Sequence, residues 1–328
     1  WRTTLVLLAL AVGVGAYVSL YELKQPLSEQ RQELAKRILH LSPEEITSFS
    51  VDLPDTKVTL KKEGDAWRLI APLTDRTDQS LVQRIISQLE WLEAERVLAG
   101  TKEKPLDRAP YGLAPAHGTL TIVTKEGATT TLLFGEKTAV GNNGYLARAD
   151  WLQVFVVGPS LLETLDQPVE SYRSHALVDV NTAALTSLTL SSPMIAYALA
   201  NANGQWRLTE PTSDATDPTA VGTLLSQLSG LRIERFVDEQ AEVSAHPEWG
   251  FQTPTAKLTL TLEGGAPLEM LFGSSTNDNA QQRYAKRSDE PTLYAVDAAG
   301  VEALFKNSQT TLRAVESPGA PEPPAATP

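Results

Sequence analysis

The chain has 328 residues, 42% of them hydrophobic and 21% charged, which is about two domains at ~150 residues each and too apolar for wholesale disorder. Its 28 Lys and Arg stand against 40 Asp and Glu, a net charge of −12, which excludes the basic stripe of a general nucleic-acid binder. The absence of Cys excludes disulfides, thiolate chemistry, Cys-ligated zinc, iron–sulfur clusters and a lipidated-cysteine anchor.

Residues 3 to 21 carry no charge in 19 positions, a helix of about 28 Å set against a hydrocarbon core of ~30 Å. The run exceeds the usual apolar stretch of a secretory signal, so it reads as an uncleaved transmembrane anchor. Arg2 precedes it, and Tyr17 and Tyr21 sit near its far end, where amphipathic rings favour the interface. Lys24, Arg31, Lys36 and Arg37 follow it. Long following domains nevertheless translocate largely regardless of charge, so the bulk of the chain is expected outside the cytoplasm. Ala11, Gly15 and Ser19 recur at four-residue spacing, a small-residue stripe on which another membrane helix can pack closely. Residues 22–44 form the next segment. Leu27, Leu34, Ile38 and Leu41 among charges predict an amphipathic juxtamembrane helix over Leu27–Leu41.

The rest of the chain reads twice. Sliding Trp67–Val97 by 139 positions onto Trp206–Phe236 gives 14 identities in 31 positions without a gap. They include Trp67/Trp206, Pro72/Pro211, Asp75/Asp214, Asp78/Asp217 and Glu95-Arg96/Glu234-Arg235. Upstream, Ile46–Val51 falls on Leu185–Leu190. Downstream, after a one-residue slip, Tyr111-Gly112-Leu113 meets Trp249-Gly250-Phe251, and Leu133-Phe134-Gly135 meets Leu271-Phe272-Gly273. Two repeat domains are therefore expected, at 45–175 and 176–314; a solenoid would need shorter and more numerous units.

Alternation of apolar and polar residues predicts strands near 46–51, 57–61, 66–70, 118–124, 129–134, 145–149 and 153–157, with counterparts in the second copy. Leu81, Val82, Ile85, Ile86, Leu89 and Leu92 recur at helical spacing, as do Val221, Leu224, Leu225, Leu228 and Leu231. Asp78 and Asp217 stand where N-caps belong. Short helices are expected at 159–166 and 298–305. The predicted class is α+β: a transmembrane helix followed by two mainly antiparallel, β-rich domains with one main helix each. Residues 315–328 hold five Pro and predict a flexible tail.

No catalytic or nucleotide-binding motif is present, and His40, His117, His175 and His246 lie in unrelated contexts. The expected protein is not an enzyme and has no metal, no cofactor and no catalytic residue. Asp75 with Asp78, and Asp214 with Asp217, could hold a cation; as turn and cap residues they serve the fold. Trp67 and Trp206 could stack on a ligand or partner, whereas their place in a strand favours burial against the helix. Glu95-Arg96 and Glu234-Arg235 read as solvated strand positions, and YGL and WGF as glycine-permitted turns that pack an aromatic ring.

The order of these features is similar to a known pattern. It comprises an N-terminal anchor, Glu44-Glu45-Ile46, Trp67-Arg-Leu69 with Pro72 and Asp78, Leu92-Glu-Ala94-Glu-Arg96, Tyr111-Gly-Leu113 and Leu132-Leu-Phe-Gly135. This resembles the bacterial family catalogued as domain of unknown function 4340, DUF4340, from the anchor to about Arg313. The resemblance implies a membrane-anchored envelope protein working beside an ABC-type transport system related to gliding-motility auxiliary components. It brings no catalytic residues with it.

Together these readings give a single-pass, non-enzymatic accessory or scaffold subunit in the bacterial inner membrane. Its two repeats lie on the periplasmic side, its partners are integral membrane subunits such as an ABC-type permease, and it binds no nucleic acid. The alternative is an anchored envelope module that holds a glycan, peptide or lipid between the repeats.

Overall fold

The computed structural model describes residues 37–99, 106–306 and 309–314. The chain divides into two compact units, with the boundary between Ser174 and His175.

The first unit runs β1 (Ile46–Asp52), β2 (Lys57–Glu63), β3 (Ala66–Ala71), β4 (Asp75–Arg76), α1 (Gln79–Glu90), β5 (Arg96–Leu98), β6 (Gly118–Thr124), β7 (Thr129–Lys137), β8 (Gly144–Arg148), β9 (Val154–Val157) and α2 (Ser160–Leu165). Its nine strands form one sheet in the order β4-β3-β2-β1-β6-β7-β8-β9-β5, with antiparallel pairing throughout. β4 and β5 lie at opposite edges, so α1 must carry the chain across the sheet. Its apolar stripe makes that crossing the centre of the core: Leu81, Val82, Ile85, Ile86 and Leu89 are buried with Phe49, Leu60, Leu69, Leu120 and Ile122 from the strands. Fully burying one such side chain stabilises the fold by about 1.5–3 kcal/mol.

The second unit repeats the plan with β10 (Leu185–Ser191), β11 (Ala196–Ala202), β12 (Gln205–Glu210), β13 (Asp214–Ala215), α3 (Pro218–Ser229), β14 (Ile233–Asp238), β15 (Ala256–Leu262), β16 (Leu268–Ser275), β17 (Gln282–Arg287), β18 (Leu293–Asp297) and α4 (Ala298–Lys306). The sheet order is the same, β13-β12-β11-β10-β15-β16-β17-β18-β14. Val221, Leu224 and Leu228 of α3 are buried with Leu188, Leu199, Leu208 and Leu260. The class is therefore two similar, antiparallel sheets with few helices.

Each copy is tied at both ends to its main helix. Before β1, Arg37 forms a bridge to Glu93 and Ile38 N–H donates to Leu92 O at 3.0 Å; in the second copy Ala176 bridges Arg232 and Leu177 N–H donates to Leu231 O at 3.0 Å. At the far end Asp78 N–H donates to Tyr172 O and Asp217 N–H to Leu312 O, both at 2.9 Å. These ties correct the juxtamembrane expectation. Residues 37–41 lie in no helix, and Ile38 and Leu39 are buried in the first core, because burial of two apolar side chains outweighs local helical periodicity. The remainder of that segment, the anchor at 3–21 with Ala11, Gly15 and Ser19, and the 315–328 tail lie outside the described residues. Among the described residues no helix is long and apolar enough to cross a membrane.

Candidate functional site

The residues that repeat most strongly gather at the corner where β3, β4 and α1 meet. Trp67 is 6% exposed and its ring lies 5.3 Å from Phe49. Gln79 clamps the backbone there: its Oε1 accepts from Trp67 N–H and its Nε2 donates to Trp67 O. Trp206 is half-buried against the second core, and Thr216 Oγ1 donates to its carbonyl at 2.6 Å. Of the two readings of these rings, their placement follows packing.

The acidic pairs do separate jobs. Asp78 accepts from Ser80 and Leu81 N–H, and Asp217 from Thr219 N–H, each capping its helix. Asp75 forms a buried ion pair with Arg173, the two side chains being 6% and 3% exposed. Asp214 pairs with Arg313 at 3.1 Å with about two-fifths of each side chain exposed. Glu95 accepts from the Asn143 side chain, and Arg235 pairs with Asp278 at 2.9 Å. Among the described residues no group of three or more His, Asp or Glu is placed to hold a metal ion. The histidines stay apart: His40 is exposed, His117 faces Glu136 at 3.9 Å, His175 Nδ1 lies 2.9 Å from Ile233 O, and His246 stacks on Trp249 at 4.1 Å.

The YGL and Leu-Phe-Gly motifs, well separated in sequence, turn out to be one contact. Gly112 and Gly250 adopt φ of 66° and 78° at their turns, the left-handed region that favours glycine. Each turn then lies on a β7 or β16 glycine. A Cβ on Gly135 would sit 2.1 Å from Tyr111 O, and one on Gly273 1.9 Å from Trp249 O. Tyr111 packs edge-on to Tyr145 at 4.8 Å.

Beside that contact the first copy holds a concave place. The end of β7, the start of β8, the end of β9 and the start of α2 enclose a small apolar cleft of about 30 Å³. Phe134, Tyr145, Val157, Leu161 and Leu162 line it together with Gly135, Gly144 and Gly158. Lys137, Asn142 and Glu163 stand at the cleft, with Asn142 Nδ2 3.3 Å from Glu163 Oε1. A Cβ on Gly144 would meet nothing within 4 Å, and one on Gly158 only Glu95 Oε1 at 4.0 Å. At about 30 Å³ it is roughly a tenth or less of the volume of a typical ligand pocket. Sequence reasoning missed it, because its signal is a pair of strand-end glycines whose meaning depends on the sheet register.

Fold and site together define a tandem duplication of an antiparallel α+β unit whose repeated motif residues serve packing, capping and chain closure. The family model described as Domain of unknown function (DUF4340) matches residues 67–245 and again 206–313. The chain belongs to the DUF4340 family. The two matches start 139 residues apart, at Trp67 and Trp206, the same offset as the internal repeat. Comparison with curated proteins and with solved structures gave no match.

Proposed function

We propose that the chain is a non-enzymatic, single-pass accessory or scaffold subunit of an ABC-type transport or envelope complex in the bacterial inner membrane, holding its two repeats on the periplasmic side. The observation that carries this reading is the pairing of an uncharged run at 3–21 with two units whose shared residues are consumed by the fold. Trp67 packs, Asp78 and Asp217 cap, and Asp75 and Asp214 close the chain. A duplicated frame that spends its recurrent side chains on itself suits a spacer or platform. The family resemblance supports the transport setting, and the stripe Ala11, Gly15 and Ser19 supports a helical membrane partner.

Extraction from native membranes in mild detergent tests it. Integral membrane chains should travel with the protein, and Gly15→Leu should reduce their recovery by blocking close helix approach. Recovery of the protein alone, unchanged by Gly15→Leu, would overturn the reading.

A further inference from the structure

The chain enters both units against the end of the main helix, yet it leaves a different surface at each corner. The helices end on Trp91 for α1 and Gly230 for α3. Just beyond, the entering segment forms its bridge, Arg37 to Glu93 in the first unit and Ala176 to Arg232 in the second. At the first corner the Arg37 guanidinium lies over the Trp91 ring, 4.1 Å from its centroid. Trp91 is still 60% exposed, whereas Trp67 and Trp249 are 6% and 8% exposed. The Arg37 Nε is buried and has no hydrogen-bond acceptor. The second unit makes the same closure with glycine and alanine, so the fold does not require this ring and cation.

We propose that the corner of Trp91 and Arg37 rests in the headgroup layer of a zwitterionic phospholipid bilayer, the surface from which the chain arrives. Only residues 22–36 separate Arg37 from the uncharged run at 3–21, so at most about 55 Å of extended chain joins the two. The corner that carries the tryptophan is the one on this short tether. An indole is amphipathic and favours the boundary between water and hydrocarbon. A guanidinium pairs with phosphate through several N–H donors. Stacked together, they offer one ring and one cation to the same layer. Glu90 and Glu93 flank Trp91 in sequence and select the lipid, because an anionic surface would repel them and a zwitterionic one would not. The inference rests on the single-pass reading only for the tether.

The chain contains no cysteine, so Ser87→Cys places a unique thiol at an exposed position one turn before Trp91. Asp65→Cys is the control, exposed in the turn between β2 and β3, on the side of the sheet away from β5. Each full-length variant carries an environment-sensitive nitrobenzoxadiazole dye and is reconstituted into phosphatidylcholine vesicles. Lipids bearing a nitroxide near the headgroup should quench the dye at 87, with a blue shift, and leave the dye at 65 unchanged. Adding Trp91→Ala or Arg37→Gln should reduce the quenching at 87, and the two together should remove it. Anionic phosphatidylglycerol at low salt should lessen the quenching; an increase would overturn the zwitterionic assignment. No quenching at 87, equal quenching at 65, or quenching that survives both substitutions would overturn the proposal. A blue shift without quenching would mean that protein covers the corner, and would overturn it too. Flotation of the same vesicles after a carbonate wash reads the anchor. A chain that floats unquenched overturns this inference alone, and one that is quenched but stripped by carbonate overturns the anchor alone.

Discussion

The two copies share strand order, register and helix placement, yet they differ in what they bury. The first hides its Asp75–Arg173 pair; the second leaves Asp214–Arg313 partly in water. The first also carries most of the large apolar side chains exposed among the described residues: Ile70, Trp91, Val97, Val140 and Leu152, against Met194 alone in the second. Charge divides the same way. Residues 37–174 hold 15 Lys and Arg against 19 Asp and Glu, whereas residues 175–314 hold 9 against 16. A duplication released from identical duty keeps what the fold requires and lets the surface diverge. Closure of the chain onto the helix start is required. Its chemical environment is not.

The largest effect that could break this comparison lies in those two ion pairs. Arg173→Ala would leave Asp75 charged and buried beside α1, and should cost about 3–5 kcal/mol. Arg313→Ala removes a pair that water already screens, and should cost about 0–1 kcal/mol. Urea unfolding of the full chain, followed by hydrogen exchange in α1 and α3, reads the two separately. Equal losses would mean that solvent reaches both corners alike, and the contrast drawn from burial would fail.

Much of this frame is legible in the sequence because it rests on periodicities. The Leu81–Leu89 stripe, the alternation in β1, β2, β6 and β15, and the caps Asp78 and Asp217 are local signals that each element declares alone. The structure adds the links that have no local signal. Asp75 meets Arg173, and Gly135 meets Tyr111, across stretches of chain whose pairing only the sheet order fixes. The segment around Ile38 misleads for the opposite reason. Its spacing is helical, but two buried side chains and a bridge to Glu93 decide its conformation. The cleft depends on register alone: nothing in Gly144 or Gly158 as residues announces that β8 and β9 bring them to one place.

The helix caps should sharpen the comparison by behaving alike. Asp78 accepts two backbone N–H bonds, at 2.8 and 3.1 Å, and Asp217 accepts one at 2.8 Å. Either Asp→Ala change should cost about 1 kcal/mol, within the usual span for a lost cap, with Asp78 at the upper side. Asn at either place should restore most of the loss, since its amide oxygen accepts the same bonds. A cap variant in one copy with no measurable cost would show that α1 or α3 is held by packing alone.

The smallest effect concerns a pair outside the shared closure. Arg148 donates from Nε and Nη2 to Asp150 at 3.1 and 2.8 Å and its guanidinium lies over Trp151 at 4.2 Å. The guanidinium hydrogen bond holds the Asp150 carboxyl below its ordinary value of 3.8, against a small opposing cost of burial. A carboxyl whose folded value is depressed stabilises the fold above its unfolded value, and that contribution fades as pH falls through the folded one. Asp150→Asn should therefore change stability at neutral pH by less than about 0.5 kcal/mol, because the carboxylate is well exposed. As the pH falls well below 3.8, the variant and the parent should converge. Divergence there, rather than convergence, would mean that Asp150→Asn disturbs the Arg148–Trp151 stack instead of merely removing a charge.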